Sequence, residues 1–401
     1  MKFYILTGEP FPQGMAATNR IICYAKSLLI EKVDCEVIIF RRTEVYGKVA
    51  NNYLGEGIFD GITFTYIGGT PLRGSNVLIR QFNDYFDKRE TKRFLKNNLN
   101  KGDVIFFYAG SEIDFAEKVI CIAHSKGATV VKDLGELPFG TVRENRKSIR
   151  NRQRMLSKVF PILDGFIPIS DSLFDLAKNN ASKTATILKV PIMVDFSKYE
   201  LPDRSDEVEI PYIFHSGTLS EQKDGILGMI EAFGMASKMM SMPIKFISTG
   251  FMNSSPHSKE IADLIKTYDL QDKLVFTGYL SHDELREYLS KASLTIINKY
   301  ATQQNRYCFS TKLGEYLAAG KPVIMTRVGE AVNYLKDGET AFFVEPGDVA
   351  QLSEKIRFVL THREIAIKVG KNGKNLCKEV FDYRVYGNKL VQSFVDEQFL
   401  G

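Results

Sequence analysis

At 401 residues the chain is longer than one ordinary domain and suits two. Its hydrophobic share of 44% and charged share of 25% are globular values, which exclude a disordered chain, a collagen-like chain and a coiled coil. The net charge of +5 gathers in residues 1–200, a modest excess below the basicity usual for nucleic-acid binders. It reads as ordinary surface charge, or as a front half that meets an anionic partner such as a phosphorylated substrate or an acidic membrane face.

In chain order, residues 3–6 form an apolar run too short for a signal peptide, with no small-residue cleavage site after it. It reads as a first buried strand, which predicts a cytoplasmic protein. No segment nears the ~18–20 uninterrupted apolar residues of a membrane span. A Gly/Pro-rich turn, Gly8 to Gly14, follows, and a helix begins near Met15. There Ile21, Ala25, Leu28 and Leu29 recur at i, i+4, i+7, i+8. Strands are predicted at 37–40, 104–108, 129–131 and 165–169, separated by helical stretches. Short, wholly apolar strands alternating with helices imply a parallel sheet covered on both faces.

Residues 190–195 and 201–207, polar and carrying Pro191 and Pro202, read as a linker. A second series follows, with strands at 212–215, 244–248, 273–276, 294–297, 322–325 and 341–344. Its helices fall at about 224–240, 258–268, 281–290, 311–319 and 348–360, and a tail helix runs from 382 to about 399. The expectation is an α/β protein of two doubly wound Rossmann-like domains, 1–200 and 207–381, facing a central cleft, with the helix at 382–401 packing back on the first. Ligands of such sheets bind at the carboxyl ends of the strands.

Three turns could carry chemistry. Gly8 to Gly14 would let backbone N–H groups approach an anion at a helix start, with Arg20 about one turn in; a plain strand-to-helix turn reads the same way. His215-Ser216-Gly217-Thr218-Leu219-Ser220-Glu221-Gln222-Lys223-Asp224-Gly225 repeats the pattern. Lys223 could neutralise a diphosphate there, although a lone loop lysine is more often only solvated. The third, Phe309-Ser310-Thr311-Lys312-Leu313-Gly314-Glu315, opens a helix that Gly320 closes. The N–H groups of Ser310, Thr311 and Lys312 would point out of its start. Glu315, one turn in, could accept hydrogen bonds from a ribose diol or simply lie on the helix surface.

This third segment, continuing Tyr316-Leu317-Ala318-Ala319-Gly320-Lys321-Pro322-Val323-Ile324, resembles the donor-site helix of GT-B glycosyltransferases, most of all family four. The run from Lys336-Asp337-Gly338 to Val344-Glu345-Pro346-Gly347-Asp348 resembles the family's D-G-x-x-G-x-x-V-x-P-G-D stretch. Gly217 to Gly225 resembles its G-R-L-x-x-E-K-G, residues 273–279 its V-x-F-x-G, and residues 190–195 its interdomain V-P-x-x-V-D. The likeness covers the second domain nearly end to end. In the first it rests on residues 12–28 and the linker.

The resemblance implies transfer of a sugar from a UDP- or GDP-sugar to a saccharide or lipid-linked acceptor, with retention of configuration and without a metal or other cofactor. Surface polysaccharide or glycolipid assembly is the implied setting. Glu315 would hold the ribose and Lys223 the diphosphate. Gly14, Met15, Gly217, Thr218, Gly250, Gly278, Arg306, Ser310, Thr311, Lys312 and Leu313 would complete the donor site. The sequence departs from the family at three points. Thr218 stands for the diphosphate arginine, so Lys312 or Arg306 must supply charge; Tyr307 stands for a glutamate; and Lys132, Asp133 and Glu136 stand where many members have a histidine. Asp133 or Glu136 could face the acceptor hydroxyl as the catalytic carboxylate, with Arg20 beside them, or either could pair locally.

The five cysteines contain no C-x-x-C pair and the five histidines no metal-ligand spacing, so buried thiols and satisfied or surface imidazoles are expected. Residues 141–158, with Arg143, Arg146, Lys147, Arg150, Arg152, Arg154 and Lys158 against Glu144, predict a basic helix, solvated or in peripheral contact with an anionic membrane. Two rivals fit the same residues: a nucleotide-sugar 2-epimerase of the same fold, and a catalytically inactive nucleotide- or sugar-binding scaffold.

Overall fold

A computed structural model describes residues 1–45, 51–108, 112–140 and 144–395. The chain divides into two compact units, residues 1–193 with 383–401, and residues 194–382.

Unit 1 is built on strands β1 (Lys2–Thr7), β2 (Asp34–Ile39), β3 (Glu44–Val45), β4 (Glu56–Phe59), β5 (Ile62–Tyr66), β6 (Leu72–Arg73), β7 (Val104–Tyr108), β8 (Thr129–Leu134), β9 (Gly165–Pro168) and β10 (Thr186–Ile187). Eight of these form one sheet in the order β10-β9-β8-β7-β1-β2-β5-β4. Every pairing in it is parallel except β4 with β5. The helices are α1 (Ala16–Ile30), α2 (Val77–Asn98), α3 (Ile113–Ser125), α4 (Arg146–Arg154) and α5 (Asp171–Asn180). The central strands are apolar on both faces because helices cover both; all five residues of β7 are buried.

Unit 2 has strands β11 (Tyr212–His215), β12 (Lys245–Ser248), β13 (Leu274–Phe276), β14 (Leu294–Ile297), β15 (Val323–Thr326) and β16 (Phe342–Val344). They form an all-parallel sheet ordered β13-β12-β11-β14-β15-β16. Its helices are α6 (Glu221–Asp224), α7 (Ile226–Met239), α8 (Ser258–Tyr268), α9 (His282–Lys291), α10 (Gln303–Tyr307), α11 (Thr311–Ala318), α12 (Val349–Thr361) and α13 (Arg363–Leu376).

The expected α/β class with two doubly wound Rossmann-like sheets is therefore what the chain adopts. In each sheet the strand order reverses beside the unit's first strand, β1 against β7 and β11 against β14. That reversal opens a crevice at the carboxyl ends of β1 and β11, where the glycine turns 8–14 and 216–217 lie.

The last helix, α14 (Gly387–Phe394), belongs to unit 1. Leu390, Val391 and Phe394 join the core of β1, β7 and α1. The approach needs Gly387, since a Cβ there would stand 2.3 Å from the Ser27 carbonyl oxygen of α1. The helix is shorter than the sequence predicts, because a 3-10 turn at Tyr383–Val385 precedes it; residues 396–401 of the expected tail lie outside the described residues.

Candidate functional site

The turn after β1 is a fixed structure. Phe11 N–H donates to Tyr66 Oη at 3.0 Å, Gln13 N–H to Asn52 Oδ1 at 2.9 Å, and Thr18 Oγ1 to the Pro10 carbonyl at 2.7 Å. A side chain at Gly14 would collide with Thr18, whose Oγ1 lies 2.0 Å from where the Cβ would sit. Met15, the N-cap of α1, is 68% exposed.

Two residues expected at the acceptor side take another role. Arg20 is 3% exposed, and its guanidinium donates to Asp133 Oδ1 at 3.3 Å and to the carbonyls of Pro191 and Val190 at 2.6 and 2.9 Å. Asp133 also accepts from Tyr24 Oη at 2.8 Å. This cluster ties α1 and β8 to the segment that leaves unit 1, and neither charge is open to a ligand. The reason is physical: a buried ion pair holds both partners wherever no solvent replaces either. Beside it, burial lowers the Lys132 ammonium to about 8. Glu136, beyond the end of β8, is the exposed carboxylate of the expected set.

The densest polar cluster of unit 2 lies at the carboxyl end of β11. A Cβ on Gly217 would stand 2.5 Å from Lys312 Nζ, 2.6 Å from His215 Nε2 and 3.0 Å from Asp224 Oδ2. Glycine is required so that these three groups can converge. Lys312 Nζ is ion-paired with Asp224 Oδ1. Asp224 Oδ2 accepts from Thr218 N–H at 3.0 Å and Thr218 Oγ1 at 2.8 Å. Although burial opposes it, the Lys312 ammonium leads the groups that hold the Asp224 carboxyl down at about 2. Thr218, standing for the family's arginine, thus anchors the carboxylate that holds Lys312.

His215 departs from the sequence expectation of a satisfied or surface imidazole. It is 1% exposed, and its Nδ1 lies 3.1 Å from the Ile296 carbonyl, which makes Nδ1 the donor. Nε2 then carries the lone pair, and it has no hydrogen-bond partner among the described residues. Burial, then Lys312, lowers the imidazole to about 4, so it is neutral near pH 7.

The helix start expected to bind phosphate is α11, whose N-cap is Ser310. No side chain caps it, as none caps α7, α8 or α13, while Ser220, Ser281, Thr302 and Asp348 cap the other helices of this unit. Glu315, one turn on, is half-buried and hydrogen-bonded to the Tyr199 side chain. Burial pushes its carboxyl up to about 7, against the Tyr199 bond and the Lys312 charge. The next residue, Tyr316, turns its hydroxyl to Ser216, accepting from the backbone N–H at 2.8 Å. That bond ties α11 to the turn after β11.

Lys223 is exposed on α6, and its carbonyl accepts from Lys299 Nζ at 3.1 Å. Arg306 is exposed on α10. Gly250 and Gly278, both with positive φ, pair through Gly250 N–H to the Gly278 carbonyl at 2.9 Å, at the ends of β12 and β13. Sequence reasoning missed Tyr199, His215, Asp224 and Lys299. His215 and Asp224 stand inside the glycine turn it had singled out, and Lys299 lies just beyond β14, the other strand of the reversal.

In this doubly wound sheet a glycine turn and an uncapped helix start lie together at the strand reversal, a geometry suited to an anion. Residues 201–376 match the family model for glycosyl transferases group 1. A 2-deoxystreptamine N-acetyl-D-glucosaminyltransferase of Niallia circulans is 29% identical over 148 residues, 37% of this chain and 36% of that protein. The sulfoquinovosyl transferase SQD2 of Arabidopsis thaliana is 25% identical over 187 residues, 46% of this chain and 33% of that one. The chain thus spans about a third of the length of these curated relatives. Among solved structures, Anabaena Alr3699/HepE in complex with UDP superposes with a TM-score of 0.70 at 15% identity, covering 98% of this chain and 99% of that one. Sucrose-phosphate synthase of Thermosynechococcus elongatus gives 0.73 at 16%, covering 98% and 97%. The fold they share with this chain is GT-B.

Proposed function

We propose that this protein transfers a sugar from a nucleotide diphosphate sugar to a saccharide or lipid-linked acceptor, with retention, in surface polysaccharide or glycolipid assembly. One observation carries the reading: Gly217, Lys312 and the open start of α11 share a crevice with Glu315 one turn further on. In this reading the diphosphate lies against Gly217 and the N–H groups of Ser310, Thr311 and Lys312. Lys312 and Lys223 supply positive charge, and Glu315 accepts hydrogen bonds from the ribose. The bond from the anomeric carbon to the diphosphate oxygen breaks, the acceptor hydroxyl oxygen bonds to that carbon, and the hydroxyl proton passes to the departing diphosphate oxygen. Negative charge grows on the leaving diphosphate, where oriented amides and ammonium groups stabilise it most. Lys312 then does the work of the arginine that Thr218 replaces, because Asp224 fixes its ammonium beside Gly217. That the Anabaena structure is a complex with UDP agrees with a nucleotide donor.

Within unit 1, Gly14, Met15 and Glu136 are the expected residues still open to a ligand. Glu136 is the carboxylate we assign to the acceptor side. The test is incubation of the full chain with UDP- and GDP-sugars and saccharide or lipid-diphosphate acceptors, following nucleoside diphosphate release. Acceptor-dependent release that Glu315→Ala abolishes supports the reading. Nucleotide binding with no release, or isomerisation of a donor sugar without acceptor, would replace it with the scaffold or the epimerase.

A further inference from the structure

Helix α2 presents an outward stripe that changes character halfway. Leu78, Phe82 and Tyr85 lie at i, i+4 and i+7 and are 73%, 66% and 69% exposed. The same stripe continues through Arg89, Lys92 and Lys96 at i+11, i+14 and i+18. Val77 and Ile79 widen the apolar half, and Phe86 stacks on Phe82 with ring centroids 6.5 Å apart. Contiguous exposed apolar side chains on this scale mark an interaction site rather than ordinary surface.

The helix cannot roll to hide them. Its other face is fixed by buried Asp87, ion-paired with Arg42 at 3.3 Å, and by buried Thr91 and Leu95. At its basic end Glu90 reaches Arg89 at 4.0 Å and Arg93 at 3.7 Å, while burial and then Lys118, Lys96 and Arg89 lower the Lys92 ammonium. Helix α3 links this helix to a second basic one: Glu112, its N-cap, pairs with Lys88 at 2.5 Å, and its Asp114 with Arg154 of α4 at 3.4 Å. On α4, Arg146, Lys147 and Arg150 are exposed; Arg143 of the same basic stretch lies outside the described residues.

We propose that the outward stripe of α2 docks this protein on an anionic lipid bilayer, Leu78, Phe82 and Tyr85 entering the interface and Arg89, Lys92 and Lys96 meeting headgroup phosphates. Apolar side chains continuous with cations are what a charged interface accepts. A second copy of the chain fits less well. Parallel pairing of two stripes opposes like charges, and antiparallel pairing of the apolar halves leaves Arg89, Lys92 and Lys96 outside the contact with nothing to recognise them. The inference does not depend on the transferase reading, and among the described residues no helix is long and apolar enough to cross a membrane.

The test is flotation of the full chain with phosphatidylcholine vesicles, with and without phosphatidylglycerol. Wild type should float with the anionic vesicles only. L78S/F82S/Y85S and R89Q/K92Q/K96Q should each lose more than about tenfold in partition. Because the chain contains no tryptophan, Phe82→Trp supplies a single reporter whose emission should shift to the blue on anionic vesicles. No flotation of wild type, unchanged flotation of the apolar triple variant, or unshifted Trp emission would overturn the proposal. So would self-association in solution that the apolar variant abolishes, which would assign the stripe to a second copy.

Discussion

Lys312 on α11 and Asp224 on α6 form an ion pair that holds the lysine ammonium beside Gly217. The pair joins residues 88 positions apart across the strand reversal of unit 2. It also gives Thr218 its partner, since both Thr218 donors go to the same carboxylate.

Asp224→Asn should therefore lower stability and nucleotide affinity together. The loss should be about 2 kcal/mol, below the ~3–5 kcal/mol of a wholly buried pair, because Lys312 keeps part of its exposure. The folded-state carboxyl is held at about 2, below the ~3.9 of an unfolded aspartate. Its stabilisation is present in full above the unfolded value and is lost as pH falls towards 2. Thermal melts from pH 7 to pH 2.5 should show that the variant lacks this part of the acid sensitivity.

Gly217→Ala should weaken nucleoside diphosphate binding and lower the melting temperature, since Lys312 must leave Asp224 to make room. The new methyl would meet Lys312 Nζ and His215 Nε2. The lysine end can swing away; the buried imidazole, held through Nδ1 to Ile296, cannot. Calorimetric titration with UDP or GDP, whichever the wild type binds, should show at least about a tenfold loss, or ~1.4 kcal/mol. Unchanged affinity would remove Gly217 from the site.

Arg20→Met should cost stability and not acceptor recognition. Removing the guanidinium takes the donors from the carbonyls of Val190 and Pro191 and leaves the Asp133 carboxylate buried with the Tyr24 hydroxyl but no counter-charge. Breaking a buried pair in this way costs ~3–5 kcal/mol. Arg20→Lys should recover little, because one ammonium cannot span three acceptors set apart as these are. Urea unfolding measures the loss, and an acceptor KM unchanged in the surviving fold would confirm a purely positioning role.

The sheets were legible because their strands are short apolar runs between glycine turns, a local signal. Thus residues 104–108, 212–215 and 294–297 stand where the sequence puts them. The hairpin β4–β5 was missed, although Asp60 and Gly61, both at positive φ, form its two-residue turn. Helix α2 was missed because its outward stripe is apolar where a soluble helix would be polar. In the candidate site, motif spacing pointed to Gly217, Lys312 and Glu315, which the fold brings near one another. It could not find Tyr199 or Lys299, which reach the site through tertiary contacts with Glu315 and the Lys223 carbonyl. Nor could it foresee that Arg20 and Asp133, 113 residues apart, neutralise each other.

Glu315 should make nucleotide binding depend on pH near neutrality, where most carboxylates stay ionised and contribute no slope. Burial lifts its carboxyl to about 7, so near that pH a good part of the free protein carries it protonated. A ribose diol donates its hydroxyl protons best to the ionised form. Affinity for a nucleoside diphosphate should thus rise as pH increases from 6 to 8, and binding should release a proton where the free carboxyl still holds one. Glu315→Gln, which keeps the shape without the titration, should bind more weakly at pH 8 and lose the slope. Tyr199→Phe removes a donor to the carboxylate, so the carboxyl should rise further and the affinity curve should move to higher pH. Titration calorimetry in two buffers of different ionisation heat measures the proton count directly. A flat wild-type profile, with no proton released, would separate Glu315 from the nucleotide.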